Sequence, residues 1–132
     1  MKRGTVTKAI LTLLAVGMIT GAVYPYAAEK HETIWLIKTL RSENLGMRVS
    51  AAQILAQNGE KKALKPLIRM LKKDVSDFAR FSAAVALAQF GDINTLDALK
   101  FSRRYDRNEN VRSMAEDAIF EIKRSEVILA LN

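Results

Sequence analysis

The sequence predicts an all-α fold, an α-solenoid of about three helix pairs after an N-terminal hydrophobic signal or anchor segment. The string Arg48-Val49-Ser50-Ala51-Ala52-Gln53-Ile54-Leu55-Ala56-Gln57-Asn58-Gly59 recurs thirty-two residues later as Arg80-Phe81-Ser82-Ala83-Ala84-Val85-Ala86-Leu87-Ala88-Gln89-Phe90-Gly91. A decayed third copy opens at Arg112, where Ala115, Ala118 and Ile119 keep small and apolar positions of the pattern. A period of this length belongs to stacked helical units, none of which can bury its apolar face alone. Between the copies, Leu64, Leu67, Ile68 and Leu71 fall on one helical face, which supplies a second helix to each unit. With 132 residues, 49% hydrophobic and 27% charged, the chain has room for one packed domain.

The first segment reads as export grammar. Lys2, Arg3 and Lys8 precede Ala9 to Val23, a run without charge, and Thr20-Gly21-Ala22 offers small residues for cleavage. If it is not cut, Ala9 to Ala28 remains uncharged, and at about 1.5 Å per residue it would span roughly 30 Å of hydrocarbon as an anchor. Either outcome puts residues 29–132, the repeat domain, on the far side of the membrane from the basic N-terminus, in a periplasmic or extracellular location. Residues 1–28 are thus a signal peptide or an uncleaved anchor. The net charge of +7 counts three cations from that segment, whereas every carboxylate lies at Glu29 or later. The exported part is therefore only mildly basic, and no nucleic-acid partner is expected.

Thr33 to Glu43 supplies one helix ahead of Leu45, leaving the completeness of the first unit open. In the full units the pairs Ala51-Ala52 and Ala83-Ala84 are expected in the core, because small side chains let helices approach closely. Gly59 and Gly91 follow the first helices, where a left-handed closing residue costs least as glycine. Pro66 is tolerable if its helix starts near Lys61 to Ala63, since its missing N–H would have no partner in the first turn. Trp35 and Leu131 lie one period before Leu67 and after Leu99, which predicts the second helix four times, weakly at the ends. Met70 sits outside the main stripe, and Val127 to Leu131 forms an apolar terminal run; both are candidates for exposed apolar surface, the run also for self-association.

Polar residues repeat as well. Arg48, Arg80 and Arg112 share one phase, and Ser42, Asp74 and Asp106 another, six residues before each arginine. This spacing predicts a structural ladder in which each Asp caps the following helix and pairs with an Arg of its own or the next unit.

From about Thr33 to Asn132 the chain resembles HEAT repeats, specifically the short variety of phycobilisome bilin lyase subunits. The strings that carry this likeness are Arg80 to Asp92 and Ala63-Leu64-Lys65-Pro66-Leu67-Ile68-Arg69-Met70-Leu71. The resemblance implies stacked helix pairs, and proteins similar to this serve as lyase subunits, enzyme appendages, adaptors and transport scaffolds. The third unit departs from the pattern, with Glu116-Asp117 where a second alanine belongs and Lys123 in place of the closing glycine.

Catalytic chemistry finds little support. The chain has one histidine and no cysteine, so disulfides, Cys-based zinc sites and thiol nucleophiles are excluded. A HEAT-like iron hydroxylase family holds two metals with several His-Glu pairs; His31-Glu32 is a single pair and supplies no such site. No phosphate loop or nucleophile elbow occurs. The expectation is a non-enzymatic scaffold or adaptor without cofactor or metal, binding a protein partner with an acidic surface. Its candidate surface is the basic strip Lys62, Lys65, Arg69, Lys72 and Lys73, which Arg103, Arg104 and Arg107 would extend. Two alternatives are a lyase-like accessory subunit binding a tetrapyrrole with a partner, and an envelope protein touching membrane through residues 9–28 or cell-wall polymer through its positive face.

Overall fold

The computed structural model describes residues 30–132. Residues 1–28, for which a signal or anchor is expected, lie outside the described residues, and among those described no helix is long and apolar enough to cross a membrane. Two units divide the chain, Met1–Ile34 and Trp35–Asn132, and the second carries the repeats.

Six helices occur among the described residues. They are α1 (residues 30–39), α2 (Leu45–Gln57), α3 (Leu64–Lys73), α4 (Asp77–Phe90), α5 (Leu96–Tyr105) and α6 (Glu109–Leu131). Single 3₁₀ turns, Lys61–Ala63 and Ile93–Thr95, lead into α3 and α5. Pro66 is thus the third residue of its α-helix, within the first turn, where no carbonyl waits for its missing N–H. Gly59 and Gly91 have φ of 64° and 63°, the left-handed conformation that ends the first helix of each unit.

The starts of α2, α4 and α6 are set by side-chain caps. Asn44 Oδ1 accepts from the Met47 N–H at 3.1 Å, Ser76 Oγ from Ala79 at 3.4 Å, and Asn108 Oδ1 from Asn110 and Val111 at 2.9 and 3.3 Å. These caps correct the expectation for the aspartates. Asp74 and Asp106 are the C-cap residues of α3 and α5, and their carboxylates take the N–H two residues on, from Ser76 and Asn108, as Asx turns.

The first helices form one layer and the second helices another. Helix α4 packs on α2 and α3, α6 packs on α4 and α5, and α3 touches α5. Ala51, Ala52, Ala83 and Ala84 are buried, and fully buried Leu55, Leu67, Leu87 and Leu99 fill the space beside them. Burying each of these leucines stabilises the fold by about 1.5–3 kcal/mol.

Two sequence expectations fail here. Met70 is buried rather than exposed, as is its repeat equivalent Ser102, because each second helix packs against the next unit's helices and so buries more than one stripe. The third unit is not a helix pair. Lys123 does not adopt the left-handed turn that glycine makes in the earlier units, so α6 runs unbroken to Leu131 and the fourth second helix does not form. The described chain is two complete pairs, α2/α3 and α4/α5, flanked by a single helix on each side. Along the end of α6, Val127, Ile128, Leu129 and Leu131 are all more than half exposed.

Candidate partner-binding surface

The five cations of the strip are all exposed. Lys62 stands on the 3₁₀ turn, and Lys65, Arg69, Lys72 and Lys73 stand on α3. None of the five forms an ion pair among the described residues, so their charge faces solvent uncancelled. His31 and Glu32 are exposed on α1, and no group of three or more metal-binding side chains occurs among the described residues.

Two grooves related by the repeat open beside Arg69, Lys72 and Lys73 of the strip. One, of about 270 Å³, is lined by Leu40, Arg41, Arg69, Met70 and Lys73 above the Arg48–Asp74 pair. The other, of about 360 Å³, is lined by Lys72, Lys73, Phe101, Tyr105 and Arg107 above Arg80–Asp106. One period separates Arg69 from Phe101 and Lys73 from Tyr105, so two cations of the first groove are replaced by aromatic rings in the second. Sequence reasoning missed these two aromatics, although the repeat offset alone places them on the strip. They are half exposed or more, their ring centroids are 5.0 Å apart, and Lys72 Nζ and the Arg104 guanidinium each lie 5.5 Å from a ring centroid. Cations at this distance are attracted to the ring face, which holds them over an apolar surface. Of the other cations expected to extend the strip, Arg103 reaches Glu116 at 3.9 Å and Arg107 donates to the Val75 carbonyl at 2.9 Å.

The groove floors are rigid. Arg48 Nε and Nη2 donate to the two Asp74 carboxylate oxygens at 2.9 and 3.0 Å, and Arg80 does the same to Asp106 at 2.8 and 3.0 Å. Each arginine also reaches back six residues with Nη1, to the carbonyls of Ser42, Asp74 and Asp106 at 2.8, 2.9 and 2.8 Å for Arg48, Arg80 and Arg112. Asp74 therefore takes Arg48 on its carboxylate and Arg80 on its carbonyl. The structure brings Arg48, Asp74, Arg80, Asp106 and Arg112 into one continuous chain of hydrogen bonds across the units. Donating to the Asp106 carboxylate holds the Arg80 guanidinium above its ordinary pKa. Burial works against ionisation of Asp106, but hydrogen bonds from Arg80 and from the Asn108 N–H outweigh it and hold the carboxyl below the usual range.

A stack of helix pairs with a charged ladder at each junction is the geometry of an α-solenoid, and a family model for HEAT repeats matches residues 34–119, more than half of the chain. The chain belongs to the HEAT-repeat family. The match extends from within α1 to Ile119, in the first half of α6. No curated protein matches the chain. HEAT repeats generally mediate protein–protein interaction, which fits a scaffold role.

Proposed function

We propose that this chain is a non-enzymatic HEAT-repeat scaffold that binds an acidic protein partner on the face built by α3 and α5, on the exported side of a membrane. The observation that carries the reading is the uncancelled row of Lys65, Arg69, Lys72 and Lys73 beside the exposed Phe101 and Tyr105. Clustered cations steer an acidic surface toward the groove, and affinity comes from what is then buried, with aromatic rings and arginines the usual anchors. A surface fixed by the ladder loses little freedom on binding. The exported side rests on Lys2, Arg3 and Lys8 ahead of the uncharged run from Ala9. The lyase-like alternative rests on the likeness of the repeats to bilin lyase subunits, and tetrapyrrole absorbance titrated with the protein tests it.

The test is capture of partners by the full tagged chain from its own cell envelope, beside a Lys65→Glu, Arg69→Glu version. A protein retained by the first, released by salt and lost from the second is the expected result, followed by the same ranking with the purified pair. Equal retention by both versions, with intact helical circular dichroism, would remove the strip from the reading.

A further inference from the structure

On the layer of first helices, α4 and α6 leave a groove of about 460 Å³ between them. Phe78, Phe81 and Met114 give it an apolar lining, Asp77 and Asp117 supply its charges, and no cation of the described residues lines it. Phe81 and Met114 pack on the core while still half-buried, and Phe78 is 57% exposed. One period earlier, the same register carries Leu45, Gly46 and Val49 in place of Asp77, Phe78 and Phe81, and Val85 in place of Asp117, with no charged residue at any matching position. Stacking one unit on the next therefore requires neither carboxylate nor the Phe78 ring. Asp77 has a local role as well: it is the first residue of α4, where negative charge is favoured, and it accepts from Asn108 Nδ2 at 2.6 Å. Asp117 has no such role. It is exposed in mid-helix, where aspartate is a poor helix former, and its carboxylate makes no ion pair or hydrogen bond among the described residues. Its neighbours three and four residues away are Ser113, Met114, Phe120 and Glu121, so the one charge along its face has the same sign and is unfavourable.

We infer that this groove receives an arginine or lysine side chain from a basic segment of a partner polypeptide, its apolar stem on Phe81 and Met114 and its charged head at Phe78, Asp77 and Asp117. Charge decides the occupant: two carboxylates without a lining cation, on a chain of net charge +7, select a positive group against the average of the surface. Long basic side chains lay their stems along apolar surface and keep the head in a polar setting, and an exposed ring face attracts that head. Asp77, Phe78 and Asp117 are all exposed, so the groove walls its occupant on one side only. A free small cation needs most of its surface buried to be held, whereas a side chain is kept in place by the rest of its segment. The groove belongs to the layer opposite α3 and α5, so the inference goes beyond the proposed function and stands or falls apart from the α3 strip.

The test measures, by fluorescence anisotropy at physiological salt, binding of a labelled peptide of alternating arginine and alanine to the full chain, with citrulline in place of arginine in the control peptide. Asp117→Asn is expected to weaken the arginine peptide about fivefold, the upper range for an exposed charge pair. Phe78→Ala should weaken it about threefold through the lost ring. Glu116→Gln changes the net charge by the same amount at the adjacent residue, which reaches Arg103 instead, and should leave binding unchanged. The thermal midpoint of Asp117→Asn should hold or rise, since the change removes a like charge beside Glu121; a fall would assign the carboxylate to the fold and overturn the inference. It is also overturned if the native chain does not hold the arginine peptide, if the citrulline peptide binds as tightly, or if Glu116→Gln weakens binding as much as Asp117→Asn. Free arginine binding as tightly as the peptide would make this a small-molecule site, and an Asp117-dependent dimer in sedimentation would make a second copy the occupant; either result overturns the inference.

Discussion

Asp106→Asn removes the counter-charge of the deepest ion pair in the stack. The Arg80 and Asp106 side chains are 5% and 6% exposed, so the guanidinium left behind has little access to water. Asp106 Oδ1 receives both Arg80 Nη2 and the Asn108 N–H, whereas Oδ2 receives Arg80 Nε. An asparagine that keeps its oxygen at the first position turns an NH2 toward Nε, donor against donor. Stranding one member of a buried pair costs about 3–5 kcal/mol, and the bonds from Arg80 to the Asp74 and Val75 carbonyls place this case at the lower end, about 3 kcal/mol. Asp74→Asn breaks the same contacts around Arg48, at 12% and 9% exposure, and should cost less, about 2 kcal/mol. Urea unfolding followed by circular dichroism reads both from the midpoint at constant slope. An Asp106→Asn cost under about 1 kcal/mol, the level of a surface pair, or a larger cost for Asp74→Asn, would refute the argument. The double variant Arg80→Met, Asp106→Leu should be less destabilised than the sum of its single changes, because it leaves no unpaired charge.

The depressed Asp106 carboxyl also sets a pH dependence: its contribution is full above the unfolded value of about 3.9 and is lost as pH falls through the lower folded value. Midpoints measured against pH should drop on the acid side, and the drop should be shallower in Asp106→Asn. Gly91→Ala should destabilise by about 1 kcal/mol in thermal unfolding, through the left-handed φ of 63° alone, since a Cβ there would meet no atom within 4 Å. Leu99→Ala opens a cavity between the layers at a fully buried position and should cost about 2–5 kcal/mol, whereas Lys65→Glu, Arg69→Glu should change the urea midpoint little.

What the sequence by itself determined is whatever recurs within one helix or one turn. The repeat of Arg48 at Arg80 and Arg112, the Leu64 to Leu71 stripe, and Gly59 and Gly91 closing their helices follow from spacing and backbone sterics. The phase of Asp74 and Asp106 was legible too, and so was the strip from Lys62 to Lys73 as a set of neighbours. Only the tertiary structure decided which unit each aspartate serves. Its carboxylate goes to the arginine on the first helix of its own pair and its carbonyl to the arginine six residues on, in the next pair, a division fixed by the stacking of α4 on α2 and α3. The same stacking buried Met70 and set Lys72 over Phe101. A period of thirty-two says that units stack, but not how each is rotated against the next. That rotation depends on the volumes meeting at the junction, which are contributed by residues far apart in the chain. The unbroken α6 has a local cause, since Lys123 stands where glycine would have turned the backbone.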